Sequence, residues 1–117
     1  RGVVLDEASV EMEGEIKIRE GAQGVDDFLE MRILVIGEKA KAMVEPSLEI
    51  EANEVRASHA ATVGRIDEDE LFYLQSRGVS EKESKQILIR GFLNTVVERI
   101  EDRNEKNRAK KMMEDVM

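Results

Sequence analysis

Cysteine is absent from this 117-residue chain, and its absence excludes disulfide bonds, thiolate metal ligands and a nucleophilic thiol. Histidine occurs only once, as His59. Aromatic residues make up only 3% of the chain, so the core must be built from Val, Ile, Leu, Met and Ala. No apolar run approaches the roughly 18 residues that a membrane-spanning helix needs. We therefore expect a cytoplasmic protein that makes no use of a membrane.

Acidic residues outnumber basic ones, and the net charge of −8 argues against nucleic acid as a partner, because that binding needs a basic face. The charge is unevenly distributed. Residues 1–64 carry 14 Asp and Glu against 7 Lys and Arg, whereas residues 65–117 carry 12 against 11. This shift predicts a boundary near Gly64, with one structural part over 1–64 and a second over 65–117.

The first part has the pattern of β-strands. Residues 10–19 alternate apolar and charged side chains, as expected for a strand with one buried and one wet face. Pairs of apolar residues begin at positions 3, 16, 34 and 48, and each pair is followed by a second short apolar segment. This recurrence fits the rungs of a solenoid. An antiparallel meander gives the same alternation, so the pattern alone leaves both architectures open.

The second part has the pattern of helices. Asp67 is placed to cap a helix that ends at Gly78, and Ser80 with Glu83 forms the capping box of the next helix. We expect the helices to bury apolar residues at helical spacing. These residues are Leu71, Phe72, Leu74, Ile89, Leu93, Val96 and Ile100.

Four motifs in fixed order resemble the C-terminal core of the SufB/SufD family of iron–sulfur cluster assembly scaffold proteins. They are Pro-Ser-Leu-Glu-Ile at 46–50, Ser-His-Ala-Ala-Thr-Val-Gly at 58–64, Leu-Phe-Tyr-Leu-Gln-Ser-Arg-Gly at 71–78 and Ile-Arg-Gly-Phe at 89–92. The resemblance favours a mainly β fold with C-terminal α-helices, in which the last rungs of a parallel β-helix precede a small helical subdomain. Family members are considerably longer, so we expect a fragment, a processed product or a short paralogue.

The resemblance also implies how the chain acts. Family members are non-catalytic scaffolds that pair through the β-helix, as a homodimer or a heterodimer with a SufB/SufD-type subunit, and that bind a SufC-type ATPase through their helices. We assign pairing to residues 48–62, with Leu48, Ile50 and Val55 as contacts, and ATPase binding to Lys85 and Arg90. In agreement with a non-enzymatic role, the chain has no Gly-x-x-x-x-Gly-Lys-Ser/Thr phosphate-binding loop.

The chain departs from the family pattern where cluster chemistry is expected. Met31 aligns with a functional cysteine of SufB-type subunits, Ala60 with a glutamate after the family's histidine, and Ala57 with a cysteine of many SufD-type members. Only His59 remains of this set, which makes the chain more similar to the SufD side. His59 is a candidate ligand of a transient iron–sulfur cluster shared with a partner that supplies thiolates. A purely structural role for His59 explains the sequence equally well. We expect no cluster to be bound by this chain alone, because such sites need about four ligands, mostly cysteines.

Two other functions are open to such a chain. One is a structural protein–protein interaction module without cluster chemistry. The other is a β-helix enzyme acting on polysaccharide, which the scarcity of aromatic residues for sugar stacking disfavours.

Overall fold

The computed structural model describes residues 1–116, without the side chain of Val116. Met117, the last residue of the predicted helical subdomain, lies outside the described residues. Five strands precede three helices: β1 (Gly2–Leu5), β2 (Ser9–Ile18), β3 (Asp26–Ile36), β4 (Lys41–Ile50), β5 (Arg56–Arg65), α1 (Glu68–Ser76), α2 (Glu81–Val97) and α3 (Arg103–Val116). The chain divides into a strand unit, Val3–Gly64, and a helical unit formed by residues 65–116 with Arg1 and Gly2. Among residues 1–116, no helix is both long and apolar enough to cross a bilayer.

Successive strands of the strand unit alternate between two sheets. One sheet has the order β1-β3-β5, and the other pairs β2 with β4. The β2–β4 pair is parallel, with Ser9 opposite Lys41 and Ile18 opposite Ile50. Residues 32 positions apart are therefore neighbours, and the Lys17 ammonium lies 2.5 Å from Glu49 on the outer face. The hydrogen bond from Lys17 to Glu49 raises the pKa of Lys17.

The core of the strand unit consists of two apolar clusters. The first contains Val4, Ile33, Val35 and Ala40, and the second contains Ile16, Ile18 and Ala52. The alternation in residues 10–19 predicts this arrangement, because every second residue of β2 points inward and the others are exposed. Medium-sized aliphatic side chains fill both clusters, as the low aromatic content requires.

The strand segments that sequence reasoning separated are continuous in the structure. The segment at 10–12 and the pair at 16–18 form β2, and the segments at 28–29 and 34–36 form β3. Residues 43–44 and 48–50 likewise belong to β4. The structural repeat is thus 32 residues, rather than the 13 to 18 that separate the apolar pairs. The prediction failed because the inward alternation continues unbroken through each supposed junction, leaving no place for a turn.

The predicted helix boundaries are confirmed. The Asp67 carboxylate accepts hydrogen bonds from the backbone N–H groups of Asp69 and Glu70, at 2.8 and 3.2 Å. Ser80 and Glu83 form a reciprocal capping box, and these hydrogen bonds from Ser80 lower the pKa of Glu83. Gly78 has a φ of +89°, the left-handed conformation expected after a helix end.

The predicted buried stripe of the helices is partly wrong. Ile89 and Leu71 are buried, but Val96 is 39% exposed and Phe72 is 72% exposed. Val97 is buried in place of Val96, although Val96 lies closer to Ile89 around the helix axis, so angular position along α2 does not by itself explain which of the two is buried. Ile100 follows the end of α2 at Val97, and it therefore cannot extend the stripe.

Candidate functional site

His59 lies in the middle of β5 with an exposed side chain. β5 stands at one end of its sheet, with β3 on one side and no strand of residues 1–116 on the other. Among the described residues, His59 belongs to no group of metal-ligating side chains close enough to share an ion. Within residues 1–116, His59 therefore offers a single imidazole to a metal cluster.

The three residues assigned to subunit pairing have different environments. Leu48 and Val55 are partly buried and both pack against the second core cluster. Ile50, at the end of β4, is 43% exposed. The structure thus brings Leu48 and Val55 together on one cluster, whereas Ile50 leaves nearly half of its side chain available at the surface.

The two residues assigned to ATPase binding both lie on α2. Lys85 is held by an ion pair, with its ammonium 2.5 Å from the Glu81 carboxylate, and the hydrogen bond from Lys85 lowers the pKa of Glu81. Arg90 is exposed, and it has no ion-pair partner among residues 1–116. It lines two shallow hollows of the helical unit, one of about 440 Å³ beside Gly78 and Ile87, the other of about 240 Å³ beside Lys110 and Met113.

The positions that depart from the family pattern lie on β3 and β5. Met31 is 5% exposed and lies close to Gly14, where an added Cβ would be 2.8 Å from the Met31 sulfur. Ala57 packs partly buried against the second core cluster, and Ala60 is half-buried. The Met31 side chain therefore fills interior space of the strand unit.

Sequence reasoning missed a group of three carboxylates on the outer face of the β2–β4 sheet. Glu11, Glu13 and Glu45 are exposed, and their ligand oxygens lie within 4.8 Å of one another. Glu13 stands directly opposite Glu45 in the ladder. The alternation of β2 places Glu11 and Glu13 on the same face, but only the 32-residue register adds Glu45. Oxygen ligands suit hard cations such as Mg²⁺ or Ca²⁺ rather than iron–sulfur clusters.

Comparison with known proteins gives a consistent result. The family model described as "SUF system FeS cluster assembly, SufBD core domain" matches residues 1–92. The chain is 43% identical over 96 residues to the iron–sulfur cluster assembly protein SufD of Bacillus subtilis, covering 82% of this chain and 22% of that protein. It is 35% identical over 100 residues to the SufD protein of Escherichia coli, covering 86% of this chain and 24% of that protein.

An iron–sulfur cluster assembly SufBD family protein of Pyrococcus horikoshii is 34% identical over 100 residues, covering 86% of this chain and 22% of that protein. The chain thus spans about a quarter of the length of these curated relatives. The family model covers all five strands and reaches into α2. This chain therefore belongs to the SufB/SufD family of iron–sulfur cluster assembly proteins.

Proposed function

We propose that the chain acts as a non-catalytic scaffold subunit in iron–sulfur cluster assembly. It pairs through its strand unit with a SufB/SufD-type subunit and binds a SufC-type ATPase through its helices, in the cytoplasm. The observation that carries this proposal is the match of residues 1–92 to the SufBD core, which includes every strand. The helical unit extends beyond that match as α3 and the end of α2.

We further propose that the strand unit is coiled as a parallel β-helix. Two observations support this architecture: successive strands alternate between two sheets, and the β2–β4 pair is parallel with a constant register. A coil that returns to the same sheet after each turn produces this alternation, whereas a meander pairs strands adjacent in sequence. The pairing surface is then at the end of the coil, where β5 is exposed.

His59 is the residue of this chain that we assign to the cluster, which is the cargo of the assembly system. We expect His59→Ala to lower the yield of cluster by about tenfold or more, because loss of a ligand should cost at least as much as loss of a residue that supports one. The measurement is reconstitution with iron and sulfide in the presence of a cysteine-bearing SufB-type subunit, followed by absorption spectroscopy and iron analysis.

Thr62→Ala is the matched control, because Thr62 is also exposed on β5 and lies in the same pairing region, but it is not a candidate cluster ligand. Both variants must still co-purify with the SufB-type subunit. Equal cluster yields from His59→Ala and the parent chain would remove the ligand role. That result would favour the second candidate function, an interaction module without cluster chemistry, which the absence of cysteine already supports.

Arg90 is the stronger of the two candidates for ATPase contact, because Lys85 is already engaged by Glu81. We expect Arg90→Glu to weaken binding of a SufC-type ATPase by about tenfold or more, since like charges brought together at an interface cost several kcal/mol. Lys85→Glu should weaken binding as well, and it also breaks the ion pair with Glu81. Quantitative pull-down with the purified ATPase measures both effects.

Lys111→Glu serves as the control of equal charge change, on an exposed position of α3. All three variants should keep the circular dichroism of the parent chain. Binding reduced equally by Lys111→Glu would show that net charge matters rather than this face of α2. Unchanged binding by Arg90→Glu and Lys85→Glu would remove the face from the docking surface.

A further inference from the structure

Helix α3 packs in the helical unit through a narrow and mostly polar face. Four of its residues are half-buried, and they follow one another at helical spacing: Lys106, Ala109, Lys110 and Met113. The other residues from 103 to 115 are exposed. Two of the four inward positions are thus lysines, and only Ala109 and Met113 bring apolar side chains to the contact. Burial of apolar surface therefore supplies little of the free energy that holds α3 in place.

A single carboxylate at the end of α2 engages both lysines. The Glu98 carboxylate lies 2.7 Å from the Lys110 ammonium and 3.6 Å from the Lys106 ammonium. Lys106 also donates to the backbone C=O of Glu98 at 2.8 Å. The C-terminal end of a helix carries partial negative charge, which further favours the two ammonium groups. Contact with Lys110, and then with Lys106, lowers the pKa of Glu98. Together Glu98, Lys106 and Lys110 form the α3 latch.

The α3 latch is weak enough to open. The side chains of Glu98 and Lys110 are 57% and 43% exposed, and ion pairs with this exposure contribute little free energy and are screened by salt. A helix of 14 residues has marginal stability by itself in water. By contrast, α1 buries Leu71, and α2 buries Ile89 and Val97. Of the three helices, α3 therefore detaches with the smallest loss of buried contacts.

Docked α3 reaches the smaller of the two hollows beside Arg90. That hollow, of about 240 Å³, is lined by Arg90 and Asn94 of α2 and by Lys110, Met113 and Glu114 of α3. Glu114 brings a carboxylate to the same hollow as the Arg90 guanidinium. An acidic group of a partner that approaches Arg90 from this side meets the like charge of Glu114, and α3 already fills part of the space that it needs.

We propose that α3 is a detachable strap that limits the access of an acidic partner surface to Arg90, and that the α3 latch holds the strap closed. This inference rests on the proposed binding of a SufC-type ATPase through α2, and it names the regulation of that site. Opening the latch frees the side of α2 that carries Arg90 and Asn94. A weaker latch should therefore raise the affinity for the ATPase, whereas reversal of the charge at Arg90 should lower it.

Isothermal titration calorimetry of the full chain with a purified SufC-type ATPase, at low ionic strength, tests the control of access. Glu98→Gln removes the carboxylate of the latch, and Lys106→Gln removes an ammonium group that does not line the hollow. We expect each variant to bind the ATPase about two- to tenfold more tightly, because one or two exposed ion pairs contribute a factor of this size. The two variants change the net charge in opposite directions, so net charge cannot explain an increase shared by both.

Glu101→Gln and Lys111→Gln are the matched controls, because they make the same two charge changes at exposed positions outside the latch. Both should bind the ATPase as the parent chain does. Circular dichroism verifies that all four variants are folded. If Glu101→Gln raises the affinity as much as Glu98→Gln does, and Lys106→Gln does not raise it, net charge rather than the strap controls binding.

Amide hydrogen exchange without the ATPase tests the latch itself. We expect the amides of residues 107–115 to exchange at least about twofold faster in Glu98→Gln than in the parent chain, and faster in the parent chain at about 1 M salt than at low salt. The amide of Ile89, inside α2, is the internal control and should not change. Equal exchange of α3 in the parent chain and in Glu98→Gln would overturn the latch.

The binding results separate the strap from the function on which it rests. Faster exchange of α3 in Glu98→Gln with unchanged affinity for the ATPase overturns the control of access. Weaker binding by both latch variants makes docked α3 a part of the binding surface and overturns the strap. Arg90→Glu that binds as the parent chain does removes the proposed docking face, whereas a loss from Arg90→Glu without a gain from the latch variants refutes the strap alone.

Discussion

Replacement of Ile33 by alanine should lower the free energy of unfolding by about 2–5 kcal/mol, the usual cost of truncating a buried aliphatic side chain. Ile33 is 2% exposed and lies in the first core cluster with Val4, Val35 and Ala40. Small neighbours such as Ala40 cannot fill the space left behind, so a cavity should remain. Urea denaturation followed by circular dichroism measures the loss.

The magnitude matters because small domains have only about 5–15 kcal/mol of stability in total. Val63→Ala is the matched control, since it also shortens an aliphatic side chain in a strand but at a position that is 46% exposed. Its effect should remain within about 0.5 kcal/mol. Equal losses from Ile33→Ala and Val63→Ala would show that the first cluster does not form the core of the strand unit.

Replacement of Gly37 by alanine should cost about 2–6 kcal/mol, although only one methyl group is added. Gly37 has a φ of +128°, which side chains rarely adopt, and its added Cβ would lie 2.6 Å from the carbonyl oxygen of Asp6. Backbone conformation of this kind costs about 1–3 kcal/mol, and overpacking costs about as much again. Asp6 cannot easily withdraw, because its N–H donates to Ile36 C=O at 2.9 Å.

Two other glycines separate these contributions. Gly24 has a φ of +76° but open space around its added Cβ, so Gly24→Ala should show the conformational cost alone. Gly91 lies inside α2, also in open space, and Gly91→Ala should raise stability by about 0.8–1.0 kcal/mol. Thermal denaturation should give the lowest melting temperature for Gly37→Ala, a higher one for Gly24→Ala and the highest for Gly91→Ala. A Gly37→Ala variant no less stable than Gly24→Ala would mean that the turn moves away from Asp6 at no cost.

The helix ends were predictable from sequence because the signals are local. Asp67, Ser80 and Gly78 act within three residues of their own positions, so the identity of each residue is nearly sufficient to place a boundary. The exposure of Phe72 and Val96 was not predictable in this way. It depends on how each helix is rotated about its axis. Because the apolar stripe is wider than the surface that each helix buries, the sequence leaves that rotation undetermined.

The strand unit shows a similar division. Alternation in β2 indicates which side chains point inward, and the structure agrees. The register does not follow from alternation, because a shift of two residues preserves the same inward face. The grouping of Glu45 with Glu11 and Glu13 depends on that register, and for this reason the sequence alone does not reveal it. The motif around His59 identified the family but did not place β5 at the end of its sheet.

The 32-residue register between β2 and β4 has a consequence for synthesis on the ribosome. Chains grow at about 5–20 residues per second, so roughly 2–6 s pass between the synthesis of β2 and that of β4, the strand that pairs with it. During that interval its edge, including the acidic side chains at Glu11, Glu13 and Glu15, is exposed to every other nascent chain nearby. Mutual repulsion of such carboxylates keeps unfinished copies apart. The carboxylates that lie close together on the outer face of the folded strand unit can therefore also oppose association of incomplete chains during synthesis.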